Sequence, residues 1–284
     1  IRIGTPISVS EQKEYSDIER FGRFLRLKTY GLGSSMEVNK YFSYKLKPAS
    51  TPEPIIPPVP QEAIDCEVNR LMEDYLLFKS KNFCVVCAPS VEMPNIMTEL
   101  GRLREETFRE VGEGTNRSID VDEFDLYYWH LFIWDEDEKR IVGAYRAGKG
   151  KEILDRYGVK GFYINSLFKI DKKFAPTLEE SIELGRSFIV KEYQRKPLPL
   201  FLLWKGILYF LIKNPEYRYL IGPVSISNRF SSYSKELIIS FIRSNYFDHE
   251  MARNIKPKNM FRINLSQEDF DIIFNNNTDN RRLD

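Results

Sequence analysis

Several residue types are scarce in these 284 residues, and each scarcity removes a class of function. Only two histidines are present, which leaves no material for a His-built metal centre. Three cysteines, an odd number in a chain this long, argue against a disulfide framework and for a reducing compartment. Cys84 and Cys87 form a C-x-x-C, but inside the apolar strand pattern "FCVVC". Side chains three apart on a strand point to opposite faces, so neither one shared metal nor one disulfide is expected of them. The net charge is +1, so no global field favours generic nucleic-acid binding. No apolar run approaches the ~20 residues that span a bilayer, and neither a signal peptide nor an internal repeat is visible. The chain opens at Ile1, and "IRIGTPIS" reads as a strand arriving from something already folded, so the sequence is expected to be a piece of a longer protein.

What is present is a chain rich in Tyr and Phe, residues that line a pocket for an apolar substrate or simply fill a core. Residues 11–30 have the spacing of an amphipathic helix, with Ile18, Phe21 and Leu25 on one face and Gly31 and Gly33 as its stop. "KPASTPEPIIPPVPQ", Lys47 to Gln61, holds six prolines and reads as an extended linker. After it come a helix over "QEAIDCEVNRLMEDYLLFKS", a buried strand "NFCVVCAP" and a long helix from Pro94 to the glycines at 112 and 114. A hairpin turns at Asp135–Lys139. Further strands are expected at "GFYINSLFKI", "SIELGRSFIV" and "YRYLIGPVSIS", with helices over 198–213 and "SSYSKELIISFIRSNY". The order predicts an α/β (α+β) domain with a mixed, mostly antiparallel sheet and one strand–loop–helix unit, the place where such folds hold a phosphate.

Glu183 and Arg186 stand three apart on an expected strand, so a straight strand would face them opposite ways. A bulge or splay near Gly185 would bring both round one cleft. They are either a substrate site or a structural ion pair. Asp122, Glu123 and Asp125 crowd three acids into four positions and call for a cation: an arginine such as Arg104, Arg109 or Arg146, a substrate ammonium, or only water. His130 and Asp135 spell H-x-x-x-x-D, but residues five apart on a strand are ~17 Å apart and face opposite ways, so no catalytic diad is expected.

Together "ELGRLREETFREVGEG" (99–114), "DVDEFD" (120–125), "HLFIWD" (130–135), "VGAYRAG" (142–148), "ELGRSFIV" (183–190) and "LWKGI" (203–207) resemble the GNAT N-acyltransferases. The motifs are most similar to the branch of ornithine- and glycine-lipid N-acyltransferases often labelled "hemolysin-like", and more distantly to acyl-homoserine-lactone synthases. Residues 1–50 resemble the tail of a lysophospholipid acyltransferase. The boundaries this implies are an upstream tail at 1–46, the linker at 47–60, a GNAT-like domain at 61–265 and a polar tail at 266–284.

The resemblance implies that Glu183 holds or deprotonates the acceptor amine, that Arg186 fixes a carboxylate or phosphate, and that Tyr233 protonates the leaving thiolate. It adds Arg104, Arg109, Asp122, Asp125, Arg146 and Trp204 as acceptor contacts. Related enzymes carry glycines in the loop after this strand, where backbone N–H groups cradle coenzyme A pyrophosphate. Here Gln194, Arg195 and Lys196 are followed by Pro197 and Pro199, which lack N–H donors. A basic rim of Lys191, Arg195, Lys196 and Lys205, read otherwise as a plain solvated face, would suit an acyl carrier protein as donor. The implied reaction moves a fatty acyl chain from the carrier-protein thioester, or from acyl-CoA, to the α-amine of a small amino acid in aminolipid synthesis. No permanent cofactor, metal or nucleic acid takes part, and the setting is the cytoplasm, with room for peripheral contact at the inner membrane. Two alternatives stay open: a non-catalytic docking module for a carrier protein or membrane, and an acetyl-CoA-dependent N-acetyltransferase.

Overall fold

Proline governs the way into the fold. The computed structural model describes residues 51–227 and 230–261, together with Ile7, Val9–Lys13, Ile18, Phe21, Gly22 and Leu25. Val9–Lys13 forms a helical turn, and the strand expected at the start and the tail expected at 266–284 lie outside the described residues. In the proline-rich stretch the residues that keep an N–H use it. Glu53 N donates to Asn116 O at 2.9 Å, Ile56 N to Ser118 O at 3.1 Å and Val59 N to a Glu99 carboxylate oxygen at 3.1 Å. From Glu53 on, the expected linker is therefore a strap bound to the domain.

Helix α1 (Gln61–Asp74) buries Ile64, Val68 and Leu71 at helical spacing. It stops short of its expected end, because "LLFKS" becomes strand β1 (Leu76–Ser80), which turns through Lys81 (φ 56°) into β2 (Phe83–Pro89). Helix α2 (Pro94–Glu110) starts on Pro94, whose missing N–H costs nothing in the first turn. The hairpin β3 (Trp129–Asp135) and β4 (Arg140–Lys149) follows, then α3 (Gly150–Tyr157). The expected strand "GFYINSLFKI" is instead a 3₁₀ turn, a helical turn at Ile164–Leu167 and a short β5 (Phe168–Ile170). The N–H groups of Tyr163 and Ile164 go to a carboxylate, so they cannot join a ladder. Strand β6 (Ser181–Ile189) leads to α4 (Pro197–Lys213) and β7 (Tyr219–Ile221), which is cut short where Gly222 and Pro223 follow.

The chain divides into two compact units. The first takes Ile1–Ser166 and Pro176–Pro223; the second takes Leu167–Ala175 and Val224–Asp284, so the expected 61–265 domain is split between them. The first unit holds a mixed sheet in the order β1-β2-β3-β4-β6-β7, antiparallel throughout except for the parallel pair β6 and β7. Helix α4 packs on one face, against β1 to β4, with Phe210 against Trp129. Helices α1 and α2 take the other face, where Phe108 meets Phe188 edge to face. Because both faces are covered, β2 is buried from Phe83 to Ala88 without alternation. The second unit pairs β5 with β8 (Ile255–Pro257) and contains α5 (Ser232–Tyr246) and α6 (His249–Arg253).

Candidate active site

Between β4 and β6 the register slips by one residue: Ala144 faces Phe188, while Arg146 faces Gly185. Arg186 sits in the extra position with φ 50°. This is a β-bulge, and it turns Arg186 to the side of the sheet that carries Glu183 and Arg146. Beyond Glu183↔Ile221 the pairing of β6 with β7 stops, while β6 itself runs on to Ile189.

Three arginines meet three aspartates beneath α2. Arg104 grips both oxygens of Asp125 at 2.9 and 3.0 Å and the carbonyl of Asp120 at 2.6 Å. Arg146 donates to Asp122 at 2.5 Å and Asp125 at 3.2 Å. Arg186 reaches Asp122 at 3.3 Å and lies 3.2 Å from Asp120. Asp122 and Asp125 also close a capping box around the 3₁₀ turn Glu123–Leu126, which fixes both carboxylates. Gly101 makes this cluster possible: a Cβ there would lie 2.5 Å from Val121, so only glycine lets the Asp-bearing segment run beside α2.

Burial alone would raise the Asp125 carboxyl, but the Arg104 and Arg146 guanidiniums together outweigh it and hold Asp125 well below the usual range. At Asp122 burial wins over Arg146, helped by the charge of Asp125, and the carboxyl is raised. His130, buried beside Asp125 with Nε2 3.2 Å from its carbonyl, is pushed down to about 4 by burial, against the pull of that carboxylate. Arg146 lies 5.5, 5.2 and 5.6 Å from the ring centres of Phe124, Tyr128 and Tyr163, a cation–π setting that stabilises a desolvated guanidinium.

Glu183 is 1% exposed. Its carboxylate accepts the Tyr128 hydroxyl and the N–H groups of Tyr163 at 2.9 Å and Ile164 at 2.6 Å. Burial raises its pKa, opposed by these three hydrogen bonds. Opposite it stands Gly148, where a Cβ would come within 2.4 Å of the Tyr128 ring, so glycine is what lets Tyr128 reach Glu183. Glu183 thus anchors the turn that carries Tyr163 over Arg186, whose guanidinium lies 5.5 Å from that ring.

The fold brings together Glu183, Arg186, Arg146, Arg104, Asp122 and Asp125. Arg109 stands apart, tied to Glu105 and to the carbonyls of Glu53 and Arg117. Trp204 lies on α4, across the sheet, with its ring against Tyr145. The Tyr233 side chain lies outside the described residues. Among the expected donor contacts, Lys191 pairs with Glu110 at 2.6 Å and Gln194 bonds the Ile189 carbonyl at 2.9 Å. Arg195 turns the loop with φ 64°, and Lys196 lies 4.5 Å from the Tyr193 ring. Lys205 stacks on Phe78 and Tyr209, two turns into α4 and away from the loop. His130 and Asp135 bond separate partners, the latter Tyr193 and Asn82. Asp120, Tyr128 and Tyr163 belong to the site without having been singled out from the sequence; the alternation D-x-D in "SIDVDEFD" was the one available hint for Asp120.

Residues 103–204 match the family model described as an acetyltransferase (GNAT) domain, a stretch running from α2 to the middle of α4 and containing the whole of this cluster. The chain is an acyltransferase, with a stretch similar to GNAT domains. Two curated proteins are similar to this acyltransferase over most of their length. It is 28% identical over 253 residues to the glycine N(alpha)-acyltransferase of Phocaeicola vulgatus, covering 81% of this chain and 76% of that protein. It is 29% identical over 233 residues to the glycine N(alpha)-acyltransferase of Bacteroides thetaiotaomicron, covering 78% and 68%. No solved structure matches the acyltransferase.

Proposed function

We propose that the protein moves a fatty acyl chain from a thioester to the α-amine of a small amino acid, with glycine the first substrate to test. The observation that carries the reading is the pairing of Arg186 with Asp122. Their polar ends are 3.3 Å apart, and at 18% and 10% side-chain exposure they are the open end of an otherwise sealed network. Adjacent opposite charges at a rim complement a zwitterion: the guanidinium takes the carboxylate and the aspartate takes the ammonium. The raised pKa of Asp122 suits it to accept a proton as the ammonium becomes a nucleophile. The amine nitrogen then bonds the thioester carbonyl carbon, the C–S bond breaks, and the thiolate leaves to be protonated. Glu183 is sealed from the acceptor in this arrangement and serves as a positioning residue through Tyr163.

An acyl carrier protein is the donor that best fits the loop. Of the first four residues of α4, Pro197 and Pro199 have no N–H, so Leu198 and Leu200 are left to meet a phosphate, half of an ordinary helix start. A single phosphodiester arm needs fewer donors than a pyrophosphate. The product, an acylated amino acid with a long chain, would be an aminolipid.

Mass-spectrometric detection of acylglycine, with acyl carrier protein, acyl-CoA and acetyl-CoA offered in parallel, tests each part. Asp122→Asn is expected to lower kcat by ~100-fold or more. Arg186→Lys is expected to raise the KM for glycine while changing kcat little. Full turnover by folded forms of both variants would remove the site, and exclusive use of acetyl-CoA would establish the acetyltransferase reading instead.

A further inference from the structure

Helix α4 carries large apolar side chains on both its inner and its outer face. Its inner face buries Leu202, Leu203, Gly206, Ile207 and Phe210 against the sheet. Its outer face carries Leu200, Phe201, Trp204, Leu208 and Ile212, each between 50% and 67% exposed. At 100° per residue these five fall within an arc of about 120°, and they run for about 18 Å along the helix. A stripe of this size on a water-facing helix marks an interaction surface.

We propose that the outer face of α4 is an interfacial helix that seats the protein on an anionic phospholipid surface. The charge pattern favours that occupant. All seventeen residues of α4 lack an acid. Cations border the stripe: Arg195 and Lys196 precede its first turn, and Lys205 stands on its flank. Lys205 Nζ lies 4.7 Å from the ring centre of Phe78 and 5.7 Å from that of Tyr209, a cation held against aromatic faces beside the stripe. An acidic protein partner would call for cations within the face, whereas here they stand at its edges and the centre is Phe201, Trp204 and Leu208. The helix cannot span a bilayer, because it has seventeen residues and its inner face is committed to the sheet; among the described residues no helix is long and apolar enough to cross. Lying flat with the apolar arc in the acyl boundary and the cations at headgroup level is the arrangement open to it. The inference rests on the proposed function in one respect, that a long-chain acyl product belongs in a membrane.

The test is partitioning of the full chain onto phosphatidylcholine vesicles with and without 30 mol% phosphatidylglycerol (about 30%, a typical anionic load). Binding is expected to be ~10-fold or more tighter on the anionic vesicles and to weaken with salt. Trp204 is the reporter, since Trp134 is buried and Trp129 packs against Phe210; its emission should shift to the blue on binding. The double variant Phe201→Ser, Leu208→Ser should keep the wild-type circular dichroism and lose vesicle binding by ~10-fold or more. Absence of binding by the folded wild type, or equal binding by the folded double variant, would overturn the proposal. So would a dimer that the double variant dissolves, since a second copy would then own the face, or competition by acyl carrier protein for it. Acylglycine formation from a soluble short-chain donor, measured without vesicles, reads the proposed function separately, so either reading can fail while the other stands.

Discussion

Beneath α2 the sheet buries Arg104 and Arg146 and half-buries Arg186 against Asp120, Asp122 and Asp125, while across the same sheet α4 leaves Leu200, Phe201, Trp204, Leu208 and Ile212 in water. Polarity alone would have placed these two sets the other way round. Five charged side chains can be buried there, with Arg186 at the rim, because each guanidinium finds a fixed carboxylate and, for Arg146 and Arg186, aromatic faces as well. The cost of desolvation is met by the neighbours, and the arrangement is intolerant of losing any one of them. The outer face of α4 has no such mutual dependence. Its residues answer to whatever lies outside the chain, so they should be replaceable without harm to the fold.

That contrast can be broken most severely at Asp125. Asp125→Ala leaves Arg104 and Arg146 buried without their shared partner, and should cost about 3–5 kcal/mol. Thermal melting should show a fall of about 10 °C, or no folded protein at all. Wild-type stability in the Asp125→Ala variant would mean that the network is weaker than its geometry.

The next effect is in pH. Buried neutral His130 has a pKa near 4, below its ordinary 6.5, so the unfolded chain binds the extra proton between those values. Stability is therefore full above about pH 6.5 and falls as the pH drops toward 4, by about 3 kcal/mol from this group. Denaturant unfolding at a series of pH values should show the slope, and His130→Gln should flatten it. With two histidines in the chain, nuclear magnetic resonance can follow His130 directly.

A smaller loss is expected for a chain that begins at Pro60. The strap gives up the hydrogen bonds of Glu53, Ile56 and Val59, together with the grip of Arg109 on the Glu53 carbonyl. At about 1 kcal/mol for each net bond, less what the freed groups regain from water, the penalty is about 2 kcal/mol by melting. The smallest change belongs to α4: Leu208→Ser should shift unfolding by no more than about 0.5 kcal/mol. A larger shift would show that the exposed face is packed after all.

Much of the first unit was legible in local signals. Proline starts α2 and α4, alternation and turn residues mark the β3–β4 hairpin, and the odd spacing of Glu183 and Arg186 beside a glycine pointed to a bulge. Crowded acids demanded cations, and Arg104 and Arg146 supply them. What local signals do not carry is contact made across distance in sequence. The Tyr128–Glu183 bond joins residues 55 apart and exists because a glycine opposite clears the space. Lys205 reads as part of a basic loop from its neighbours in sequence, but two helical turns carry it to Phe78. The proline-rich stretch reads as free because prolines dominate it, although the few residues between them decide its fate.

The extra residue in β6 also governs which edits to the gene the protein can survive. Phe188 packs on the α2 side only because Arg186 and Ser187 together stand opposite the single Tyr145. Remove Ser187 and the parity of the strand changes: everything after it is handed to the other layer, Phe188 leaves Phe108, and Arg186 loses the left-handed turn that aims it at Asp122. A one-codon deletion at this point would thus do more damage than most substitutions, whereas the same deletion in an exposed loop would pass almost unnoticed.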